Sequence, residues 1–306
     1  MAKALITGVA GFIGSNLAVR LLKEGYEVVG IDDLSYGVKE QVPDGVTFFQ
    51  QDIRSKDIYP LFEGVDCVFH LAAKNCISDC QKDTVSTSDI NVTGTVNVLE
   101  AGARAGIKKV IYAESSAVYE GVSQFPTPEG VVEPHSFYAM SKVAGHCFAK
   151  AYKEFYNLDS IGVRYFNVYG PRQDYRRTIP PLMSAFIIKL LRGEQPVIYG
   201  DGEKRRDFIY IDDINDVHVL LMNEEKANNE VYNIGFGKNY SVNEIYKIIK
   251  SLLGVDIDPA YLDSLSGEAQ ITLADCTKLQ SLGWQPKMSL EEGIKLQIDY
   301  IKKNVL

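Results

Sequence analysis

No apolar run in the 306 residues approaches the ~18 that a membrane helix needs, so no membrane partner is expected. Positive charge is also scarce. The formal net charge is -8, and binding to a nucleic-acid backbone needs clustered Lys and Arg. Nucleic acid is therefore not an expected partner, whereas a phosphorylated small molecule needs only a local positive site. The five cysteines, Cys67, Cys76, Cys80, Cys147 and Cys276, are odd in number and match no common zinc spacing, so no metal site is expected. Cys76 and Cys80 can be read as a metal or redox pair, but reduced thiols of a cytoplasmic protein are the better reading. No internal repeat, low-complexity tract or long flexible linker stands out. The apolar stretch after Met1-Ala2-Lys3 is too short for a signal peptide and is broken by glycines; a buried strand entering a glycine turn fits it better.

What the chain does have is alternation. Ala4–Thr7, Glu27–Ile31, Thr47–Gln50, Cys67–Ala73, Lys109–Ser115 and Ser160–Phe166 read as strands, mostly apolar without strict alternation, as when both faces of a sheet are buried. Ser15–Glu24, Thr84–Ala105 and Phe137–Tyr156 read as helices between them. The pattern predicts an α/β protein with a Rossmann-type, doubly wound parallel sheet. The texture changes after about Tyr169. Residues 1–168 are expected to form the main domain, and residues 169–306 a smaller mixed α/β lobe with some segments returning to the main sheet. In that lobe, helices are expected near Leu182–Leu191, Val242–Leu253 and Leu290–Lys303, with strands near Val197–Tyr199, Phe208–Ile211 and Val231–Ile234.

The first strand runs into Thr7-Gly8-Val9-Ala10-Gly11-Phe12-Ile13-Gly14 and then a helix. Glycine allows a tight turn and close backbone approach to a ligand. The helix N-terminus offers N–H groups and a positive dipole end to a pyrophosphate. The spacing is G-x-x-G-x-x-G rather than G-x-G-x-x-G. Asp32 ends the second strand, where an acid suits a ribose 2′-OH and repels a 2′-phosphate, so NAD is preferred to NADP. Asp33 competes for that role. Asp52-Ile53, after the third strand, marks either the adenine region or a helix cap.

Tyr138 and Lys142 lie four apart on an expected helix and so share a face. A nearby ammonium and a positively charged nicotinamide would lower the pKa of a tyrosine that is otherwise a poor base, letting it take a proton from a substrate hydroxyl. Ser115 and Ser116 end the fifth strand, at the edge where doubly wound sheets bind ligands. They serve as substrate-oxygen contacts or as turn caps.

These segments, with Leu71-Ala72-Ala73, Arg164 to Arg172, Gly200-Asp201-Gly202 and Arg206 to Tyr210, appear in an order that resembles the nucleotide-sugar epimerase and dehydratase branch of the extended short-chain dehydrogenases. The likeness is greatest to the UDP-galactose and UDP-N-acetylglucosamine 4-epimerases. It implies an NAD-dependent isomerase acting on a UDP-sugar by transient oxidation at C4, and a homodimer paired through Thr84–Ala105 and Phe137–Tyr156. It implies cofactor contacts at Gly8, Gly11, Phe12, Ile13, Gly14, Asp32, Asp33, Asp52, Ile53, Leu71, Ala72, Ala73, Asn91, Tyr138 and Lys142. The catalytic group would be Ser115, Ser116, Tyr138 and Lys142. Substrate contacts would be Asn167, Thr178, Tyr199, Arg206 and Thr272, the last as a gate on sugar size; Arg206 can also be read as a structural ion pair with Asp207 or a neighbour. Dehydratases that resemble this chain carry Thr-Asp-Glu where it has Ser115-Ser116-Ala117, which favours epimerisation over loss of water. An arginine usual before Gly267-Glu268 is missing; Arg172 or Arg176 could replace it.

Overall fold

The computed structural model describes residues 2–176, 180–264 and 269–306. It divides into two compact units: Met1–Ser123 with Glu129–Tyr165 and Asn215–Asn233, and Gln124–Pro128 with Phe166–Ile214 and Ile234–Leu306. The strands in chain order are β1 (Lys3–Thr7), β2 (Glu27–Asp32), β3 (Val46–Gln50), β4 (Cys67–His70), β5 (Lys109–Ala113), β6 (Asp159–Tyr165), β7 (Asn167–Tyr169), β8 (Val197–Tyr199), β9 (Arg205–Tyr210), β10 (Val231–Ile234), β11 (Asn239–Ser241) and β12 (Ala260–Leu262).

In the first unit the sheet order is β3-β2-β1-β4-β5-β6-β10. All pairs from β3 to β6 are parallel. The order reverses between β1 and β4, and in open α/β sheets a ligand crevice forms at the carboxyl ends of such strands. The expected doubly wound sheet is therefore present. One side of its core joins Leu5, Val29, Ile31, Val68 and Val110 to Val98, Leu99, Ala149 and Tyr152 from the helices Gly94–Ala105 and Phe137–Tyr156. Burying each large aliphatic side chain contributes about 1.5–3 kcal/mol.

The helix Phe137–Tyr156 starts where expected because Ser136 Oγ accepts Ala139 N–H, and stops where Asn157 turns left-handed at φ 53°. Several boundaries differ from the sequence expectation; strand β5, for one, ends at Ala113 and leaves Ser115 and Ser116 in the turn beyond it. Strand β4 ends at His70, and Leu71 and Ala72 instead donate their N–H groups to Thr7 O and Thr7 Oγ1. Thr84–Ala105 is two α-helices, Thr84–Ser88 and Gly94–Ala105, joined by a π turn at Asp89–Thr93 that hydrophobic periodicity does not register. Strand β9 stops at Tyr210, and the helix Ile211–Asn223 follows it. That helix escapes the sequence pattern because Asp213, Asn215 and His218, all polar, are buried on it.

In the second unit β9 pairs parallel with β7 and antiparallel with β11, while β8 and β12 form a parallel pair. The mixed topology matches the expected smaller lobe. A capping box formed by Ser241 and Glu244 starts the helix Val242–Leu253. Among the described residues no helix is long and apolar enough to cross a membrane.

Candidate active site

The glycine loop leaves β1 at Gly8, which has φ 75° and donates its N–H to Ile31 O at 2.8 Å. A Cβ on Gly8 would lie 2.8 Å from Ala72 N, and one on Gly14 only 2.2 Å from Gly8 O. The loop thus folds against both the β4 end and the first turn of the helix Phe12–Lys23. Gly11 occupies the cap position of that helix and makes no side-chain cap bond, leaving the first amides of Phe12 and Ile13 for an anion. These features fit a dinucleotide pyrophosphate.

Asp32 is buried, and its carboxylate accepts Ala10 N–H at 3.0 Å and Leu34 N–H at 2.9 Å. Burial pushes its carboxyl up from the ordinary value, and the two backbone bonds oppose that. Each oxygen retains a lone pair for a further donor such as a ribose hydroxyl. Asp33 is exposed and bonds Ser35 N–H and Oγ. Asp52 pairs with Arg54 at 2.5 Å, which holds its carboxyl below the usual range. Ile53 is buried under Gly94, where an added Cβ would meet its Cδ1 at 2.5 Å. Leu71, Ala72 and Ala73 are half-buried beyond β4.

Asn91 lies in the π turn. Its side chain accepts Lys74 N–H and donates to Lys74 O and Ser141 Oγ, tying the segment after β4 to the helix Phe137–Tyr156. His70, not singled out from sequence, lies 2.8 Å from Thr7 Oγ1 and 2.9 Å from Thr95 Oγ1. Burial, with the Lys142 charge, pulls it down to about 3, so it stays neutral.

Tyr138 and Lys142 are both buried, and Lys142 Nζ lies 5.7 Å from the centre of the Tyr138 ring. Lys142 Nζ donates to Ala113 O at 3.0 Å. Burial pulls its ammonium down to about 8, against the opposing charge of Glu114. Ser115 Oγ accepts Ala117 N–H at 3.2 Å, capping the short turn Ser116–Tyr119, so its hydroxyl hydrogen remains available to another acceptor.

Two carboxylates flank this turn. Glu120 accepts the N–H groups of His135 and Ser136 and the Ser136 hydroxyl, fastening the entry to the helix Phe137–Tyr156. Glu114, buried, faces Arg164 at 2.6 Å. Both are engaged in holding structure.

The chain belongs to the NAD dependent epimerase/dehydratase family.

The family model matches residues 4–235, and NAD is the cofactor of this family. A putative UDP-glucose 4-epimerase of Methanocaldococcus jannaschii is 37% identical over 98% of each chain. The crystal structure of a UDP-glucose 4-epimerase from Thermotoga maritima with UDP-glucose is 35% identical, covers 99% of this chain and 100% of its own, and superposes with a TM-score of 0.96. A UDP-N-acetylglucosamine 4-epimerase from Methanobrevibacter ruminantium, in complex with UDP-N-acetylmuramic acid, is 32% identical over 99% of each chain, with a TM-score of 0.95. The protein is thus an enzyme of a nucleotide-sugar epimerase family.

Four of the five residues expected on the substrate side, Asn167, Tyr199, Arg206 and Thr272, fall in the second unit. Asn167 Nδ2 donates to Asp207 O at 3.0 Å and to Thr272 Oγ1 at 3.2 Å, and Thr272 Oγ1 also accepts Asp207 N–H. The Thr272 hydroxyl therefore holds Asn167 in place. Arg206, on β9, donates to Arg205 O and Gln270 O. Tyr199 is 42% exposed on β8. Thr178 and Gly267-Glu268 lie outside the described residues. The sequence reading takes Asp207 only as a candidate ion-pair partner of Arg206 and does not foresee that its buried carboxylate accepts the N–H groups of Phe236, Gly237 and Ala274. Its signal was available: an acid between Arg206 and Phe208 in an apolar strand needs a buried partner.

Proposed function

We propose that the protein is a UDP-sugar 4-epimerase, acting on a UDP-hexose or UDP-N-acetylhexosamine. The observation that carries this reading is the state of the two carboxylates beside Ser115. Loss of water from C6 needs an acid and a base at the sugar, but Ala117 offers neither, Glu114 is paired with Arg164, and Glu120 holds the backbone of His135 and Ser136. Inversion at C4 requires no such acid pair.

Bound NAD would supply the hydride acceptor and donor that inversion at C4 needs. The chain supplies position and proton transfer. Tyr138 takes the proton from the 4-hydroxyl and later returns it. Ser115 donates to the 4-oxygen, with Ser116 beside it. Lys142, charged, favours the Tyr138 phenolate electrostatically. Gly8, Gly11, Phe12, Ile13 and Gly14 hold the pyrophosphate and Asp32 the adenosine ribose. Asn167 and Arg206 contact the diphosphate or sugar. The enzyme works as a homodimer through Thr84–Ala105 and the helix Phe137–Tyr156, on which Val85 in the first and Phe148, Phe155 and Tyr156 in the second are exposed.

The test is incubation of purified protein with UDP-galactose and UDP-N-acetylgalactosamine, with no NAD added. The 4-epimer of either is the expected product. A 4-keto-6-deoxy sugar would refute epimerisation, and retention of NAD without turnover of any nucleotide sugar would point to a sensing role.

A further inference from the structure

Glu114 immediately precedes Ser115, and its side chain is shut away from solvent at the meeting of three elements. From β6, Arg164 Nε donates to Oε2 at 2.6 Å. From β5, the Tyr112 hydroxyl donates to Oε1 at 3.0 Å. From the helix Phe137–Tyr156, His146 Nδ1 lies 3.1 Å from the same oxygen. Gly162 leaves the space that the carboxylate fills, since a Cβ there would sit 2.6 Å from Oε1. Arg164 in turn donates to the Tyr119 hydroxyl and to Glu129 O, holding the far side of the Ser115 turn. His146 is one helical turn beyond Lys142, and Lys142 Nζ bonds Ala113, the residue before Glu114.

We propose that Glu114 is a positioning residue: its carboxylate fastens the strand end displaying Ser115 to the helix displaying Tyr138 and Lys142, and sets a negative charge one residue from the carbonyl that Lys142 Nζ binds. This rests on the reading of Tyr138 and Lys142 as the catalytic pair.

Two physical points support it. Burial alone raises a carboxyl, yet the His146 hydrogen bond and the Arg164 charge outweigh burial and hold Glu114 below its ordinary value, so it is an anion at neutral pH. The groups around Lys142 are the Ala113 carbonyl, the Tyr138 ring, neutral His70, Cys80 and Glu114; of the charges, Glu114 contributes most to offsetting the burial that strips the ammonium of water. A glutamine keeps the shape and one acceptor oxygen but carries no negative charge.

The experiment measures the pH dependence of kcat/KM, with NAD content, in the NAD-loaded wild type, Glu114→Gln and Tyr138→Phe. For Glu114→Gln the alkaline limb is expected to move about one unit toward lower pH, the size expected for losing a nearby charge. NAD stays bound and KM changes far less than kcat. A limb that stays in place, whether or not turnover drops uniformly, overturns the proposal. Glu114→Gln leaves Arg164 buried without its partner, so Glu114→Gln/Arg164→Gln is measured as well. Neutralising a buried pair together preserves folding better than breaking it, and the limb is again expected to move down; an unmoved limb overturns the proposal here too. Near-normal turnover by Tyr138→Phe brings down the catalytic reading itself. An inactive Tyr138→Phe beside an unmoved Glu114→Gln limb brings down only the role of Glu114.

Discussion

Gly14→Ala gives a sharp test of the dinucleotide loop. The new methyl carbon would stand 2.2 Å from Gly8 O and 2.9 Å from both Gly8 C and Val9 Cα. All three are backbone atoms, so no side-chain rotation relieves the clash. The loop must retreat by roughly 1 Å, at an overpacking cost of about 1–3 kcal/mol. It cannot retreat freely, because Gly8 N–H is bonded to Ile31 O and the Cβ direction of Gly8 is closed by Ala72 N. The displacement falls on the turn that presents the Phe12 and Ile13 amides, so NAD affinity should weaken about 10- to 100-fold.

The assay is calorimetric Tm with and without added NAD, together with the NAD content of the purified protein. Gly25→Ala is the control. Gly25 has φ 84° and nothing within 4 Å of its Cβ position, so alanine there carries only left-handed backbone strain, about 1–2 kcal/mol. Both variants should lose a few degrees of Tm in the absence of NAD, at about 2 °C per kcal/mol. Only Gly14→Ala should also lose the further gain in Tm that NAD binding confers. Equal NAD retention in the two variants would refute the reasoning, as would an unchanged Tm for Gly14→Ala.

Tyr138→Phe should lower kcat by about 10²- to 10⁴-fold while bound NAD persists, read from single-turnover rates and cofactor content. Lys142, pulled down to about 8 by burial, should make activity and stability diverge on the alkaline side. Above pH 8 the folded state holds fewer protons than the unfolded state, so this group's contribution to stability rises with pH while turnover falls; parallel pH titrations of unfolding midpoint and kcat/KM would show it. Asp207→Asn leaves one oxygen where a carboxylate served three N–H groups, so it should cost about 1–3 kcal/mol in urea unfolding. Because burial raises Asp207 to about 6, its contribution to stability grows as pH falls from about 6 toward 4, and the asparagine variant should lose that increment.

The parts of this protein that were legible in sequence are governed by local sterics and short-range periodicity. The buried strands of the main sheet read as apolar runs because both faces are covered. The glycine loop reads because its constraint is between residues six apart, Gly8 and Gly14. The shared face of Tyr138 and Lys142 follows from helix geometry alone, and the structure brings the two together. Where local rules are overridden, reading fails. The π turn adds no change of composition, and the helix Ile211–Asn223 hides its buried side behind Asn215 and His218.

The illegible parts of the site are those whose meaning lies in a partner distant along the chain. Glu114 reads in sequence as the last residue before a serine pair; its partners Arg164 and His146 are 50 and 32 residues away, on a different strand and a helix. Thr272 reads as a small residue that widens a sugar pocket, yet its hydroxyl receives hydrogen bonds from Asn167, 105 residues earlier, and from the Asp207 backbone. The size of a side chain can be read from its letter, but the direction in which it spends its polar atom cannot. Any selectivity exerted by Thr272 therefore includes its hold on Asn167, and a larger residue at that position would change the orientation of the asparagine as well as the volume beside it.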